Sequence, residues 1–268
     1  MTDPGIPILL FCGPAAVPTS QAATRYYAGC VEAPIIVVRP RRLAEHDGGF
    51  PASVTFVDDE AIPGFEQVSN ALRALSGQLV RSVNWYLQQY IKLAALRVVG
   101  ADLVFIHDGD TVFSRRLLEE ILRKPVVLCT RENVETYNAL LMKAGVTPLA
   151  QSCIANGGFF SASRAPADWL SPEGFLDLVE RYVIPSRSLE EISEYQMMGS
   201  ILAEDLGARR ISIFRRYDLL LPRTKARAEA SMERALRRYD AIAIETHHHN
   251  SLLKRVAARA FYLVGASW

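Results

Sequence analysis

The sequence predicts an α/β fold: a mostly parallel sheet flanked by helices, with a helical extension at the C-terminal end. Three observations point there. Six short apolar runs, residues 6–12, 34–39, 53–57, 101–107, 126–130 and 154–161, are rich in β-branched side chains and have the length of buried strands. Segments of helical period lie between most of them, and strands alternating with helices build a largely parallel sheet. The 268 residues are 50% hydrophobic and 22% charged. That is ordinary globular composition, and a chain of this size buries roughly 70–75% of its unfolded surface, enough for one substantial core.

Taken in order, the first three strands are apolar runs closed by Cys12, Arg39 and Val57. A helical pattern follows, in which Leu72, Leu75, Leu79, Val83, Leu87, Tyr90 and Ala94 recur on one face and are expected to meet the core. A second stripe, Arg81, Trp85, Gln88 and Lys92, shares another face. It reads either as a solvated surface with a snorkelling lysine or as a contact with ligand or strand ends. After the strands at 101–107 and 126–130, residues 132–144 read as a helix ended by Gly145, with Pro148 beyond it. Residues 172–183 read as another, with Ser171 as N-cap and Pro172 at its first position. A third spans 190–206 and is ended by Gly207. Residues 224–238 form a basic amphipathic helix, 240–245 a strand, and 251–268 a basic amphipathic tail. The expected division is a main domain over 1–246 and a tail over 247–268.

Bulk charge excludes some functions. With 30 basic and 29 acidic residues the formal net charge is +1, unlike a dedicated nucleic-acid binder, which concentrates positive charge. The four cysteines are scattered with no CxxC or zinc spacing, so reduced thiols in a cytoplasmic protein are the simplest reading. The N-terminus lacks the basic region of a signal peptide. No apolar run reaches the roughly 20 residues that span a bilayer.

The residues that point to chemistry are Ile106-His107-Asp108-Gly109-Asp110-Thr111. Two carboxylates one residue apart follow a buried strand, and in an extended segment they point the same way. Carboxylates there need compensation. A divalent cation bridging to phosphate supplies it, since Mg²⁺ takes one or two protein carboxylates and completes its shell with phosphate and water. In such sheets ligands bind at the carboxyl ends of strands. Haloacid-dehalogenase-type phosphatases use DxDxT, but Thr111 stands one residue early for that pattern, and three predicted strands precede the motif.

Three further stretches keep company with this motif. Trp85-Tyr86-Leu87-Gln88-Gln89-Tyr90-Ile91-Lys92-Leu93 precedes it; Asn156-Gly157-Gly158-Phe159-Phe160 and Ser193-Glu194-Tyr195-Gln196-Met197-Met198-Gly199 follow. The ordered set resembles a bacterial family of GT-A-like glycosyltransferases of largely unassigned specificity, with a Rossmann-type mixed sheet. The resemblance covers the chain from the first strand to about residue 205. It implies transfer of a sugar from a nucleotide diphosphate sugar, UDP-sugar favoured, to an acceptor hydroxyl, with Mn²⁺ or Mg²⁺ as cofactor and a glycan, lipid-linked or small-molecule acceptor. On this chain Asp110 becomes the principal metal ligand, and Asp108 contacts metal or donor ribose. Gly109 replaces a frequent serine, a small-for-small exchange. Glu194 becomes the candidate base, which a carboxylate with a pKa raised by burial suits, and predicts inversion; as a plain alternative it favours a helix dipole. Gln196 and Met198 stand where the family has an acid and a tyrosine.

The remaining candidates follow from the same picture. Asp58, in Asp58-Asp59-Glu60, is expected to bind the nucleoside. Arg81, Trp85, Gln88 and Lys92 are expected on the donor side, with Lys92 and Arg81 neutralising diphosphate. Asn156, Gly157 and Gly158 are assigned to acceptor or sugar, glycines letting backbone approach closely. His247 and His249 are placed as late metal ligands, since neutral imidazole suits Mn²⁺. The basic segments 224–238 and 251–268 fit either a docked helix or contact with anionic lipid at the inner membrane face. A phosphatase and a non-catalytic nucleotide- or glycan-binding module are the competing readings.

Overall fold

The computed structural model describes residues 5–130, 135–154, 156–186, 192–216 and 232–244. The chain opens with β1 (Ile8–Phe11), α1 (Val17–Ala28), β2 (Ile35–Arg39) and β3 (Val54–Asp58). Helices α2 (Phe65–Ala74), α3 (Val83–Ala94) and the short α4 (Leu96–Val99) follow. Then come β4 (Leu103–Asp108), β5 (Thr111–Phe113), α5 (Arg115–Arg123), β6 (Val127–Cys129), α6 (Glu135–Lys143) and β7 (Gly157–Ser161). The rest holds α7 (Pro172–Leu178), α8 (Ile184–Ser186), α9 (Glu194–Leu206), β8 (Ala208–Arg210), β9 (Ile213–Arg216) and β10 (Ala241–Ile244).

The central sheet has five strands in the order β3-β2-β1-β4-β7. The first four run parallel, and β7 returns antiparallel to β4. Ile8, Leu9 and Leu10 of β1 and Val104, Phe105 and Ile106 of β4 are wholly buried. Continuous apolar runs are what strands covered on both faces require. Each fully buried large side chain contributes about 1.5–3 kcal/mol, so these two strands anchor the core. Register sets Phe11 opposite Asp108 and Arg39 opposite Asp58, which brings the carboxyl ends of β1 to β4 to one edge. That edge positions the site.

The six predicted strands are all present near their expected bounds. Two behave otherwise than a simple parallel sheet implies: β7 is antiparallel, and β6 pairs with β8 outside the central sheet. A third sheet, β5-β10-β9, contains the predicted strand near 240–245. Strands β5, β8 and β9 have three or four residues each, too few for a period to register.

The single helix implied by the Leu72–Ala94 spacing is two helices. The chain leaves α2 at Leu75 and re-enters α3 after Ser82, whose hydroxyl accepts from the Trp85 N–H at 3.3 Å. Ser76 and Gly77 fall in the break, where local side-chain bonding and backbone entropy disfavour helix. The face is as expected at its ends: Leu72, Leu87, Tyr90 and Ala94 are buried, whereas Leu75, Leu79 and Val83 are less so. The cap expected at Ser171 is formed, with Ser171 Oγ accepting from Gly174 N at 3.0 Å. Ser193 caps α9 by accepting from Gln196 N at 3.3 Å. A cap of this kind contributes about 1 kcal/mol. Gly145 and Gly207 end α6 and α9 with φ of +77° and +71°.

Of the basic segment 224–238, a helical turn over 232–236 is described, with Met232, Ala235 and Leu236 buried. The tail 247–268, with His247 and His249, lies outside the described residues. No helix among the described residues is long and apolar enough to cross a membrane.

Candidate active site

A cleft of about 590 Å³ opens at the carboxyl edge of the sheet, within the size range of small-molecule sites. Each parallel strand feeds its wall: Cys12 and Gly13 after β1, Arg39 and Arg42 at the end of β2, Asp59 and Glu60 after β3, and Asp108 to Asp110 after β4. Helix α3 closes one side with Gln88 and Lys92, and Arg73 of α2 joins them.

The two aspartates reach this wall by a turn rather than by strand alternation, which corrects the expectation of an extended segment. Asp108 is the last residue of β4; Gly109 and Asp110 turn the chain into β5. The turn is held on every side. Gly109 N donates to Phe11 O at 2.8 Å, Asp108 N to Asn156 O at 3.1 Å, and Ile244 N to Asp110 O at 2.7 Å. Ser20 Oγ donates to Gly109 O at 3.0 Å. Thr111 Oγ1 donates to Asp110 Oδ1 at 3.2 Å and accepts from Asn156 Nδ2 at 3.1 Å.

Gly109 has no room for a side chain. A Cβ there would lie 2.4 Å from Ser20 Oγ and 2.6 Å from Phe11 O. Exchange with serine is therefore not neutral here, because α1 occupies the space with Ser20 and β1 lies directly behind. Gly109→Ala is expected to cost about 1–3 kcal/mol, the usual penalty of overpacking. Denaturant unfolding of the variant measures it, and a loss below about half a kilocalorie per mole, the range of surface substitutions, would contradict the packing.

Asp108 of this turn joins a charge triad whose other two members, Lys92 and Glu194, are buried. Lys92 is 4% exposed and its Nζ bridges Asp108 Oδ1 and Glu194 Oε1, the latter at 2.6 Å. The Tyr195 hydroxyl donates to the same Asp108 oxygen at 3.3 Å, and Lys92 Nζ lies 4.7 Å from the Tyr195 ring centroid. Burial alone lowers the pKa of a lysine, but the Asp108 and Glu194 carboxylates outweigh it and hold Lys92 above its ordinary value. Burial raises the Glu194 pKa, with Lys92 opposing the rise and Asp108 adding to it. Burial, and then the adjacent Asp108, keep the Tyr195 phenol neutral and well above its usual range.

The local sequence favours this placement of the triad. Glu194 is the first residue of α9 after the Ser193 cap, a favourable place for an acid. Lys92 lies in the last turn of α3, favourable for a cation. Tyr195 packs edge-on to Phe160 of β7 at 5.6 Å. Gly158 of β7 faces the Tyr195 ring, whose Cδ1 would lie at an ordinary contact distance of 3.5 Å from an added Cβ.

The predicted site residues divide accordingly. Asp108, Asp110, Lys92 and Gln88 share the cleft wall. Arg81 and Trp85 stand earlier along the stripe, the guanidinium 5.7 Å from the indole centroid, and Trp85 is half-buried against Tyr86. Both lie outside that wall. Asp58 is drawn to the Arg39 guanidinium, which also grips Asp47 at 2.8 and 2.6 Å. The neighbouring Asp59 faces the cleft instead; its Oδ1 is buried without a hydrogen-bond partner, and burial raises its pKa. Glu194 is 2% exposed and stands behind Lys92 rather than on the wall. Asn156 and Gly157 brace the turn and the core: an added Cβ at Gly157 would meet Phe113 Cζ at 2.6 Å. Gln196 has a packing role, accepting from Cys153 N at 2.7 Å and donating to Asn138 Oδ1 at 3.1 Å.

Sequence reasoning missed the arginines. Arg39, Arg42 and Arg73 line the cleft wall, and the first two were signalled by the basic run Arg39-Pro40-Arg41-Arg42 directly after a strand. His107 of the same motif as Asp108 and Asp110 is wholly buried among Tyr27, Phe105 and Phe113, with burial pushing its pKa down to about 4. This histidine is a neutral core residue, its Nδ1 2.9 Å from Asp108 O.

Two carboxylates on one wall are hard oxygen donors of the kind Mg²⁺ and Mn²⁺ prefer, so Asp108 and Asp110 fit such an ion. Among the described residues no three His, Cys, Asp or Glu side chains gather as a ligand set. The chain leading to His247 and His249 departs from β10, whose Ile244 is bonded to Asp110; the two histidines lie outside the described residues.

No protein-family model matches the sequence. No curated protein matches it either. Solved structures do share its fold. One is the galactosyltransferase LgtC in complex with donor and acceptor sugar analogues, with TM-score 0.52 at 13% identity over 97% of this chain and 95% of that one. An active-site mutant of LgtC gives TM-score 0.50 at 13% identity over 95% of each chain. The bifunctional glycosyltransferase WbbM aligns at TM-score 0.43 and 13% identity over 94% of this chain and 47% of that one. The fold is thus the mixed, mostly parallel GT-A-like arrangement.

Proposed function

We propose that the protein is a metal-dependent glycosyltransferase that takes a nucleotide diphosphate sugar, UDP-sugar favoured, and passes the sugar to an acceptor hydroxyl. The observation that carries this reading is the turn at Asp108-Gly109-Asp110, with both aspartates on the wall of a cleft at the sheet's carboxyl edge. The fold shared with a galactosyltransferase bound to donor and acceptor analogues supports the class.

In this reading Asp110 and Asp108 hold Mn²⁺ or Mg²⁺, with His247 or His249 completing the set. A cation so held neutralises charge on the departing diphosphate. Lys92 acts through Asp108: it occupies one oxygen and leaves the carboxylate a fixed orientation. Arg42 and Arg73 face the same space and suit the donor's negative charge. Asp59, with an oxygen lacking a partner, takes the nucleoside role expected of Asp58. The burial of Glu194 favours a positioning role, fixing Lys92, over the role of base, which needs the pair to separate before the carboxylate meets an acceptor. A nucleophilic Asp108 is disfavoured, because Lys92 and Tyr195 both engage its Oδ1.

A thermal-shift panel of nucleoside diphosphates with and without Mn²⁺ tests the proposal. At a ligand concentration about a hundred times Kd the native state gains roughly 2.7 kcal/mol. For a chain of this size that raises the midpoint by roughly 5–10 °C. The expected result is a rise with nucleotide and metal together. Absence of any metal-dependent shift across the panel would sink the proposal.

A further inference from the structure

Away from the cleft wall, two of the four cysteines face each other across strands. Cys129 ends β6, and Cys153 lies on the antiparallel segment opposite it. Thr130 N donates to Ser152 O at 3.0 Å and Ile154 N to Leu128 O at 3.1 Å. These bonds flank the two cysteines rather than join them, which makes the pair a non-hydrogen-bonded one. Directly opposed residues of that kind have Cα atoms about 4.5 Å apart, inside the roughly 4.4–6.8 Å that a disulfide spans. Helix α9 backs onto the pair, and only a glycine fits there: a Cβ on Gly199 would lie 2.2 Å from Cys153 Sγ and 3.1 Å from Val127 Cγ1. The sulfur is thus seated between α9 and β6, beside its partner.

We infer that Cys129 and Cys153 form a reversible dithiol–disulfide site that reacts with small-molecule disulfides such as oxidised glutathione. Cys153 is partly exposed and Cys129 wholly buried, so the incoming disulfide meets Cys153. Cys153 loses its proton to solvent, its sulfur attacks one sulfur of oxidised glutathione, and one glutathione thiolate leaves. Cys129 then loses its proton and attacks Cys153 Sγ, expelling the second glutathione thiolate. Two electrons pass from the protein pair to glutathione, one S–S bond breaks for the one that forms, and the two protons released balance the two thiolates. The hydrogen bond with Cys129 and burial raise the Cys153 thiol well above its usual range, so the first attack speeds up as pH rises.

The site has a route to the cleft. Cys153 N is bonded to Gln196 of α9 at 2.7 Å, and three residues on, Asn156 holds Asp108 N and Thr111. Any effect of the bond on donor binding rests on the function proposed above; the chemistry of the pair does not.

The test treats the folded full chain with excess oxidised glutathione, then blocks remaining thiols and maps peptides by mass spectrometry without reduction. The expected result is loss of two of the four thiols, one Cys129–Cys153 linked peptide, no retained glutathione, and full recovery with dithiothreitol. Cys12 and Cys30 serve as internal controls. A glutathione adduct persisting on Cys153, no reaction of either cysteine, or a link that forms only in denaturant would each overturn the inference.

Discussion

Lys92→Met is expected to lower the unfolding free energy by about 3–5 kcal/mol, the cost of removing one partner from a buried ion pair. Total stability of a domain is typically about 5–15 kcal/mol, so this is a large share. The reason is arithmetic of charge. One cation at Nζ stands between Asp108 and Glu194, and Glu194 is 2% exposed, too deep for solvent to replace the lysine. Methionine fills much the same volume, so the loss is electrostatic rather than a cavity. The cation over the Tyr195 ring disappears as well. Lys92→Met/Glu194→Gln, which removes the stranded charge, is expected to recover most of the loss. The deficit of the single variant also shrinks in acid. A carboxyl whose pKa is raised by folding binds its proton more tightly in the native state, so stability rises as pH falls through that range. Denaturant unfolding of the single and double variants decides the matter. Additive losses in the double variant would show that Lys92 and Glu194 do not act as a pair.

Asp110→Asn is expected to reduce transfer by about 100- to 1,000-fold, since each tenfold loss is about 1.4 kcal/mol of barrier and metal-assisted charge stabilisation supplies several kcal/mol. The same variant loses the Mn²⁺-dependent thermal shift. Its fold is expected to persist with a loss of about 1 kcal/mol, the difference between a hydrogen bond to a carboxylate and one to an amide. Asparagine keeps an oxygen for Thr111 Oγ1, and the Ile244 bond goes to the Asp110 backbone. Donor hydrolysis or transfer measured over a range of Mn²⁺ concentrations checks it. Activity close to that of the parent would remove Asp110 from the metal site.

Much of this was legible in the chain because its signals are local. Apolar runs mark β1 to β4 without reference to anything distant, and Ser171, Gly145 and Gly207 mark helix ends by chemistry confined to a few residues. The pair Asp108 and Asp110 at a strand end was conspicuous for the same reason. What the chain left undecided was of another kind. The face running from Leu72 to Ala94 keeps its helical spacing through a break, because spacing records which side meets the core and not whether the backbone is continuous. Asp58 and Asp59 are equal in sequence; only the position of Arg39 and Asp47 draws one away and leaves the other in the cleft.

The sequence by itself determined an α/β sheet and placed two carboxylates at its ligand edge, since strand burial and the cost of charge beside a core are properties of neighbouring residues. Only the tertiary structure decided what those carboxylates meet. Lys92 and Glu194 are 102 residues apart along the chain, and Asp108 and Tyr195 are 87 apart. Contacts of that range exist because α3, β4, β7 and α9 pack together, and that packing buries Lys92 and Glu194 against each other while Asp108 reaches the cleft.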